Sequence, residues 1–474
     1  MNVDLKDLLA ALPEDIAPKG LPLGLPGEEL RRILTDLSMK PVPVGSLHRL
    51  WTIGELSAHI ALAYLALWIR GWFAGAEARE QRLMEANLRL ALKTFQRLGY
   101  LRGAMAKVGQ ALGAFPDILP DEIVATLDRL HFEAPPMHFS LIREVVSDEL
   151  GAGPEDLFGS FDRDAFAAAS LGQVHRATLK SGERVAVKIQ YPGIARAIDA
   201  DFRNLNALML PLRLGKTWES MKGYLGEIRR MLAFEIDYEH EAANLLEARG
   251  LFRPDDGIVV PALYPEYSTK RVLTTEYLTG LHLADFLRTN PSQGARDEFG
   301  TRIYRAHLRM FCRDMGYADP HSGNYLFMND GRLGLLDFGC IQRFGPEERE
   351  LMRIAENYIQ NPEAFPEFLR HACGLDDDEL ADEDYVQAME RSISWFNEPI
   401  WGEQPFDFGD PEHLRRGVDG LATLVRKRYT RSHPMVLYIT RSGYALAALL
   451  LGLRARIDMH TLAARELELR DRPR

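Results

Sequence analysis

The stretch Asp319-Pro320-His321-Ser322-Gly323-Asn324, followed by Leu336-Asp337-Phe338-Gly339, constrains this chain more than any other: Asn324 stands 5 residues after Asp319, and Asp337 stands 18 after it. Residues 324–328 and 333–336 read as two short strands around the turn Asn329-Asp330-Gly331, so the spacing predicts a hairpin that returns the second carboxylate to the first. Phosphoryl transfer with Mg²⁺ needs such a set. One loop carboxylate orients or accepts the attacking proton, while an Asn and a second Asp hold the metal. Asp-Phe-Gly alone would be weak, because a tripeptide of common residues recurs by chance. The offsets to Asp319 and Asn324 make it specific.

Upstream, Val185-Ala186-Val187-Lys188 lies in a β-rich run, residues 184–190, that pairs through Lys180-Ser181-Gly182-Glu183 with the run 171–179. Lys188 at that strand end suits the α- and β-phosphates of a nucleotide; its plain alternative is a lysine whose stem covers apolar surface. Ahead of it, Ala167-Ala168-Ala169-Ser170-Leu171-Gly172-Gln173-Val174 occupies the place of a glycine-rich phosphate cover. Glycines serve there because absent side chains let backbone N–H groups approach phosphate. Here only Gly172 remains.

Along the chain, Pro and Gly crowd the first fifty residues, with one short helix expected at 28–38. Helical periodicity runs from 57 to about 115, then over 120–130 and 139–150, up to the turn 151–154. Strands follow at 171–179, 184–190, 259–260 and 272–277, separated by helices over 195–248. The remainder, apart from the hairpin, reads as helical. The expected division is an irregular lead-in (1–80), a helical extension (81–155), a β-rich nucleotide-binding lobe (156–280) and a helical lobe (281–474). The fold class is therefore α+β.

Composition removes several classes. A formal charge of -11 argues against a partner bound by neutralising nucleic-acid phosphates, and the basic run Arg426-Lys427-Arg428 reads as a solvated helix face. Three cysteines cannot build a disulfide framework and fit a reducing, cytoplasmic setting. The acidic N-terminus carries no export signal. Two apolar runs, 60–69 and 444–453, are ten residues each and fall short of the roughly 20 a bilayer crossing takes. Both are expected as buried helices; the first, ringed by Trp51, Tyr64, Trp68 and Trp72, also offers a surface for peripheral membrane contact.

Three further motifs carry a resemblance to a known family: Lys107-Val108-Gly109-Gln110 on an N-terminal helix, Glu235-Ile236-Asp237, and the alanine loop 167–170. With them, residues 84 to 344 resemble the UbiB/ADCK/AarF family of atypical, protein-kinase-like proteins. The resemblance implies a two-lobed protein-kinase-like fold with a helical N-terminal extension. It also implies ATP and Mg²⁺ as cofactors, and ATPase-type activity supporting isoprenoid-quinone lipid metabolism at a membrane, with a phenolic or lipid small-molecule acceptor.

Residue by residue, the resemblance gives Lys188 the partner Glu241, and sets Glu235 and Asp237 against the helix carrying Lys107 and Gln110. If residues 235–241 form one helix, Asp237 and Glu241 share a face. The alanines, Ser170, Gly172 and Val174 would cover the nucleotide, and Thr275-Glu276-Tyr277-Leu278 would be the hinge whose backbone meets adenine. Asp319 would be the base; Asn324 and Asp337 would hold Mg²⁺.

Two departures bear on substrate. Tyr317-Ala318 stands where typical kinases carry the His-Arg that reads activation-loop phosphate. Pro346 follows Asp337 by only nine residues, which leaves little room for a peptide-docking platform. Cys340 is expected as a structural thiol and His240 as an ordinary histidine; His131 and His138 match no zinc spacing. The rival readings are a nucleotide-binding scaffold without turnover and a small-molecule phosphotransferase. Lys107-Val108-Gly109-Gln110 argues against the latter, and oligomeric state is not legible.

Overall fold

The computed structural model describes residues 137–471, apart from 170, 209–228, 231, 318–319, 403, 428 and 430–431. The expectations for the lead-in (1–80) with its apolar run 60–69, and for the extension up to residue 136, lie outside the described residues, while the helix expected over 139–150 is present.

The chain enters through helix α1 (Phe139–Leu150) and a single-turn helix α2 (Pro154–Leu157). It then builds an antiparallel sheet from β1 (Ser160–Phe161), β2 (Ala167–Ala169), β3 (Gly172–Thr178), β4 (Arg184–Gln190) and β6 (Val272–Glu276) in the order β1-β3-β4-β6, with β2 also pairing β3. In β4, Val185, Val187 and Ile189 are buried while Arg184, Ala186 and Lys188 are not, the period-two pattern of a strand with one core face, and only the last residue, Gln190, is buried on the other face. The β3–β4 turn works because Gly182 sits at φ 104, a conformation that favours glycine. The buried face packs on α1 through Ile142, Val145 and Val146, and on α3 (Ile194–Leu208) through Ile194, Ala197 and Ile198, closing one apolar core.

Helix α4 (Tyr238–Leu251) crosses toward a second core. This one is centred on α6 (Gln293–Phe311), reached through the short α5 (Leu283–Arg288). Against α6 lies a three-stranded sheet, in which β8 (Tyr325–Phe327) and β9 (Leu333–Leu335) form the expected hairpin and β5 (Ile258–Val259) runs parallel to β9. Two pairs of very short strands were not expected from the sequence: β7 (Met315–Tyr317) with β10 (Ile341–Arg343), and β11 (Phe406–Asp407) with β12 (Arg456–Ile457). Both pair residues far apart in sequence.

Helices α7 (Pro346–Gln360), α8 (Phe365–Cys373), α9 (Asp377–Leu380), α10 (Glu383–Trp401), α11 (Pro411–Arg426), α12 (Pro434–Leu453) and α13 (Met459–Asp471) complete the helical lobe; the first six line a third apolar cluster, while α13 adds Met459 and Leu462 to the second core. The apolar run 444–453 forms the end of α12, with Leu446, Leu450 and Leu453 buried as expected. No helix among the described residues is long and apolar enough to cross a membrane. All three cysteines are free thiols, and Lys427 of the basic run faces Asp384 at 3.4 Å.

Candidate active site

Strand register defines the face on which the site lies. Val174 opposes Lys188, Arg176 opposes Ala186, and Leu273 and Thr275 oppose Lys188 and Ala186 from β6. All six side chains stand on the face of the sheet turned away from the α1 core. From there the Lys188 ammonium reaches both oxygens of Glu241 (Oε1 2.9 Å, Oε2 2.8 Å) and Oδ2 of Asp337 at 3.5 Å, and lies 5.1 Å from the centre of the Tyr238 ring. Lysine and its partners come from β4, the first turn of α4 and the segment after β9, so one cation ties the two lobes.

Burial by itself would discharge this lysine. The carboxylates of Asp337 and Glu241 outweigh it and hold the Lys188 pKa well above the ordinary lysine value. Glu241 is 2% exposed and committed to the pair, whereas Asp337 is 37% exposed. Two carboxylates against one ammonium leave a net negative charge at the accessible end. That end suits a cation.

Asp337 Oδ1 accepts from the Gly339 N–H at 2.9 Å, which fixes the carboxylate. Behind it, Asn244, one turn along α4 from Glu241, donates to the Phe338 carbonyl at 3.0 Å and accepts from Arg343 at 2.8 Å; Arg343 also pairs with Glu247 at 2.9 Å. The motif spacing gave no hint of Asn244 or Arg343. Three-residue steps from Glu241 along an expected helix, to 244 and 247, were the available signal.

Asn324 ends a single 3-10 turn (Ser322–Asn324) and is buried. Its carbonyl accepts from the Leu336 N–H at 3.0 Å, so the residue before Asp337 is bonded to the Asn324 backbone. An amide oxygen and an accessible carboxylate are hard oxygen donors of the kind Mg²⁺ takes, with phosphate and water completing its shell. The residues present fit that ion. Asp319 lies outside the described residues; at Tyr317, the carbonyl accepts from the Ser442 hydroxyl at 2.7 Å.

In the alanine strand, Ala167 opposes Val174 and therefore shares the Lys188 face, as does Ala169 opposite Gly172, whereas Ala168 points the other way with the buried Gln173. A Cβ at Gly172 would lie 2.4 Å from the Ile189 carbonyl oxygen and 2.9 Å from the Tyr238 hydroxyl. Close approach of β3 to β4 and α4 demands this glycine. Glu276 closes its strand through its own carboxylate, which accepts from Ala262 N–H at 3.1 Å, and Leu278 is buried. Ser170, Lys107 and Gln110 lie outside the described residues.

The expectation of one helix through 235–241 is corrected. The chain breaks at Ile236, and Asp237 is the N-cap of α4, non-helical at φ -119 and ψ 89, its carboxylate accepting from His240 N–H. Asp237 therefore does not share a helix face with Glu241, because a cap residue sits outside the helical repeat. It faces Lys270 at 3.9 Å instead. Glu235 accepts from the Cys340 thiol at 3.2 Å, so the cysteine beside Asp-Phe-Gly is held within the protein. His240 stacks on Phe234 at 4.7 Å, and His138 caps α1.

Residues 129–361 match the model of the ABC1 atypical kinase-like domain. The chain is 34% identical over 282 residues to AarF domain-containing protein kinase 1 of Mus musculus, an alignment that takes in 58% of this chain and 54% of that one. It therefore spans little more than half the length of the mouse protein. To the mitochondrial atypical kinase COQ8 of Saccharomyces cerevisiae it is 30% identical over 391 residues, covering 79% of this chain and 75% of the yeast protein. Among solved structures, that of Rv3197 of Mycobacterium tuberculosis in complex with erythromycin covers 84% of this chain and is itself covered completely, with a TM-score of 0.55 and 25% identity.

Proposed function

This chain belongs to the ABC1 atypical kinase-like family, and on that premise we propose that it binds Mg²⁺·ATP on the Lys188 face of the sheet and transfers the γ-phosphoryl group to water or a small acceptor. The observation that carries this reading is Lys188 held at 2.8 Å by a buried Glu241 and at 3.5 Å by an accessible Asp337. A lysine so charged and so fixed presents a permanent cation where the α- and β-phosphates would lie, without reorganising during reaction. Glu241 positions the lysine. Asp337 and Asn324 would hold Mg²⁺, which when bound supplies charge neutralisation at the phosphates. Asp319 would orient the attacking oxygen and take its proton. The alanines 167–169, Ser170, Gly172 and Val174 would cover the nucleotide, while the backbone of 276–278 would hold the base. Lys107 and Gln110, with Glu235 and Asp237, would close it.

The acceptor is small on this reading. Between Gly339 and Pro346 the chain makes only β10, paired residue for residue with β7, before α7 begins. No stretch remains to form a platform for a folded protein. The family resemblance supports a phenolic or lipid acceptor and a role in isoprenoid-quinone lipid metabolism, with peripheral membrane contact.

Phosphate release from Mg²⁺·ATP by wild type and Asp337→Asn tests the proposal, each with and without liposomes containing a phenolic quinone-precursor mimic. Asp337→Asn is expected to lower turnover by about a hundredfold or more, the usual scale for losing one preorganised charge contact, and lipid or phenol is expected to raise the wild-type rate. Nucleotide binding without any phosphate release would establish a silent scaffold instead.

A further inference from the structure

Two residues along β3 from Val174, and so about 7 Å from the Lys188 row at the strand rise, Arg176 stands on the same face of the sheet, opposite Ala186. Its guanidinium lies 4.5 Å from the centre of the Phe166 ring and 5.6 Å from that of Tyr277, and its Nε–H donates to the Tyr277 hydroxyl at 3.1 Å. Phe166 and Tyr277 meet edge to face at 5.6 Å, and the Arg184 guanidinium lies 5.5 Å from the other contact of the cluster, the Tyr277 ring. Phe166 immediately precedes the alanine strand, and Tyr277 immediately follows β6. The stack therefore joins the proposed nucleotide cover to the proposed hinge.

Two features of Arg176 call for a ligand. An exposed arginine ordinarily keeps its rotamer freedom and finds a carboxylate or only water. This one is pinned between two aromatic faces, yet no carboxylate lies within ion-pair distance of it and no acceptor takes its two Nη groups among the described residues. Phe166, at 38% exposure, is one of four large apolar side chains left that open among the described residues, and it packs against this cation. Stacking leaves the guanidinium edge, with its row of N–H donors, as the part that can bind.

We infer that Arg176 is a specificity-determining residue of the nucleotide site, whose Nη donors bind acceptor atoms of the nucleoside half, either a base ring nitrogen or a ribose hydroxyl. The inference rests on the nucleotide reading above. Its position selects the nucleoside half: Lys188 marks the phosphate end, and Arg176 lies toward the hinge in the row of Ala186 and Thr275.

Equilibrium binding of Mg²⁺·ATP and of adenosine to wild type, Arg176→Met, Phe166→Leu and Lys188→Met tests it. Methionine keeps a stem between the rings and removes every donor. Arg176→Met is expected to weaken ATP and adenosine by the same factor, about tenfold, as losing one hydrogen bond from a charged donor does. Phe166→Leu, which frees the guanidinium, should weaken both less. Lys188→Met should weaken ATP alone. Under Arg176→Met, 7-deaza-ATP or 2′,3′-dideoxy-ATP should lose its sensitivity, according to whether the base or the ribose supplies the acceptor. Unchanged affinities, or a loss confined to ATP, would overturn the assignment while leaving the nucleotide site standing. A wild type that binds neither ligand overturns the nucleotide reading and Arg176 with it.

Discussion

Asn244 spends both ends of its side-chain amide on the segment that follows Asp337, donating to Phe338 O and accepting from Arg343. It is buried, so neither partner has water to turn to if the amide is lost. Asn244→Ala should cost about 1–3 kcal/mol of unfolding free energy in urea, the penalty for a buried acceptor left unmade. Asp337 depends on the same turn for its Gly339 contact, so the variant should also need several-fold more Mg²⁺ for half-maximal phosphate release. An unchanged Mg²⁺ requirement would reduce Asn244 to a packing role. Lys188 is different in kind. Its raised pKa means that the pair's stabilisation is fully present below the ordinary lysine value and is lost only as pH rises through the still higher folded value. Neutral and mildly alkaline pH therefore leave it untouched.

Among the elements, α6 supports the end of β7 and the start of β8. His307 meets the Tyr325 hydroxyl at 2.6 Å and packs edge-on against Tyr317 at 5.1 Å, and these tyrosines begin β8 and end β7. Burial pushes the His307 pKa down to about 3. Above the ordinary value near 6.5 the ring is neutral folded and unfolded, and stability is complete. Below it the unfolded chain takes a proton that the folded ring refuses, so stability falls as pH drops toward 3, by about 1.4 kcal/mol per unit at most. Between pH 6.5 and 5.5, wild type should lose about 1 kcal/mol more than His307→Gln in urea unfolding; parallel losses would show that the ring is hydrated. The elements also explain what the sequence could tell. Strands β3 and β4 were legible because seven residues of alternation and a glycine turn are local signals. The two- and three-residue strands β7, β10, β11 and β12 were not, since nothing but a remote partner defines them. Asp237 carries a local cap signal, since Asp before a helical run is an N-terminal signature that outweighs the four-residue spacing to Glu241.

At the scale of the molecule, the lobes share a site whose parts lie far apart in sequence, and long-range ion pairs hold the helical lobe in register. Motifs singled out Asn324 and Asp337 by spacing and Lys188 by its place at a strand end, and the fold brings Lys188 and Asp337 within 3.5 Å. They could not give Arg309 and Glu466, which are 157 residues apart. Glu466 on α13 is 0% exposed and accepts from Arg309 Nε and Nη2 at 2.7 and 2.8 Å, with Arg305 at 3.7 Å. Arg309 also holds Asp256 and reaches the carbonyl of Leu251, the last residue of α4, at 3.4 Å. One guanidinium thus ties the C-terminal helix to α6 and to the far end of the helix that carries Glu241. Burial opposes the charge of Arg309, but hydrogen bonds to Glu466 and Asp256 raise its pKa above the ordinary arginine value. Glu466→Ala would leave two guanidiniums short of their shared partner, a loss of about 3–5 kcal/mol by the usual cost of breaking a buried pair. Replacing both ends, Arg309→Met with Glu466→Leu, removes the stranded Arg309 charge, leaves Arg305 and Asp256 to offset each other, and should recover part of that loss. Urea unfolding of both variants decides between two kinds of ion pair: a single variant within 1 kcal/mol of wild type would mean a pair worth no more than a surface one, and a recovery in the double variant would mean that α13 is held by burial, with the charges fixing where it docks.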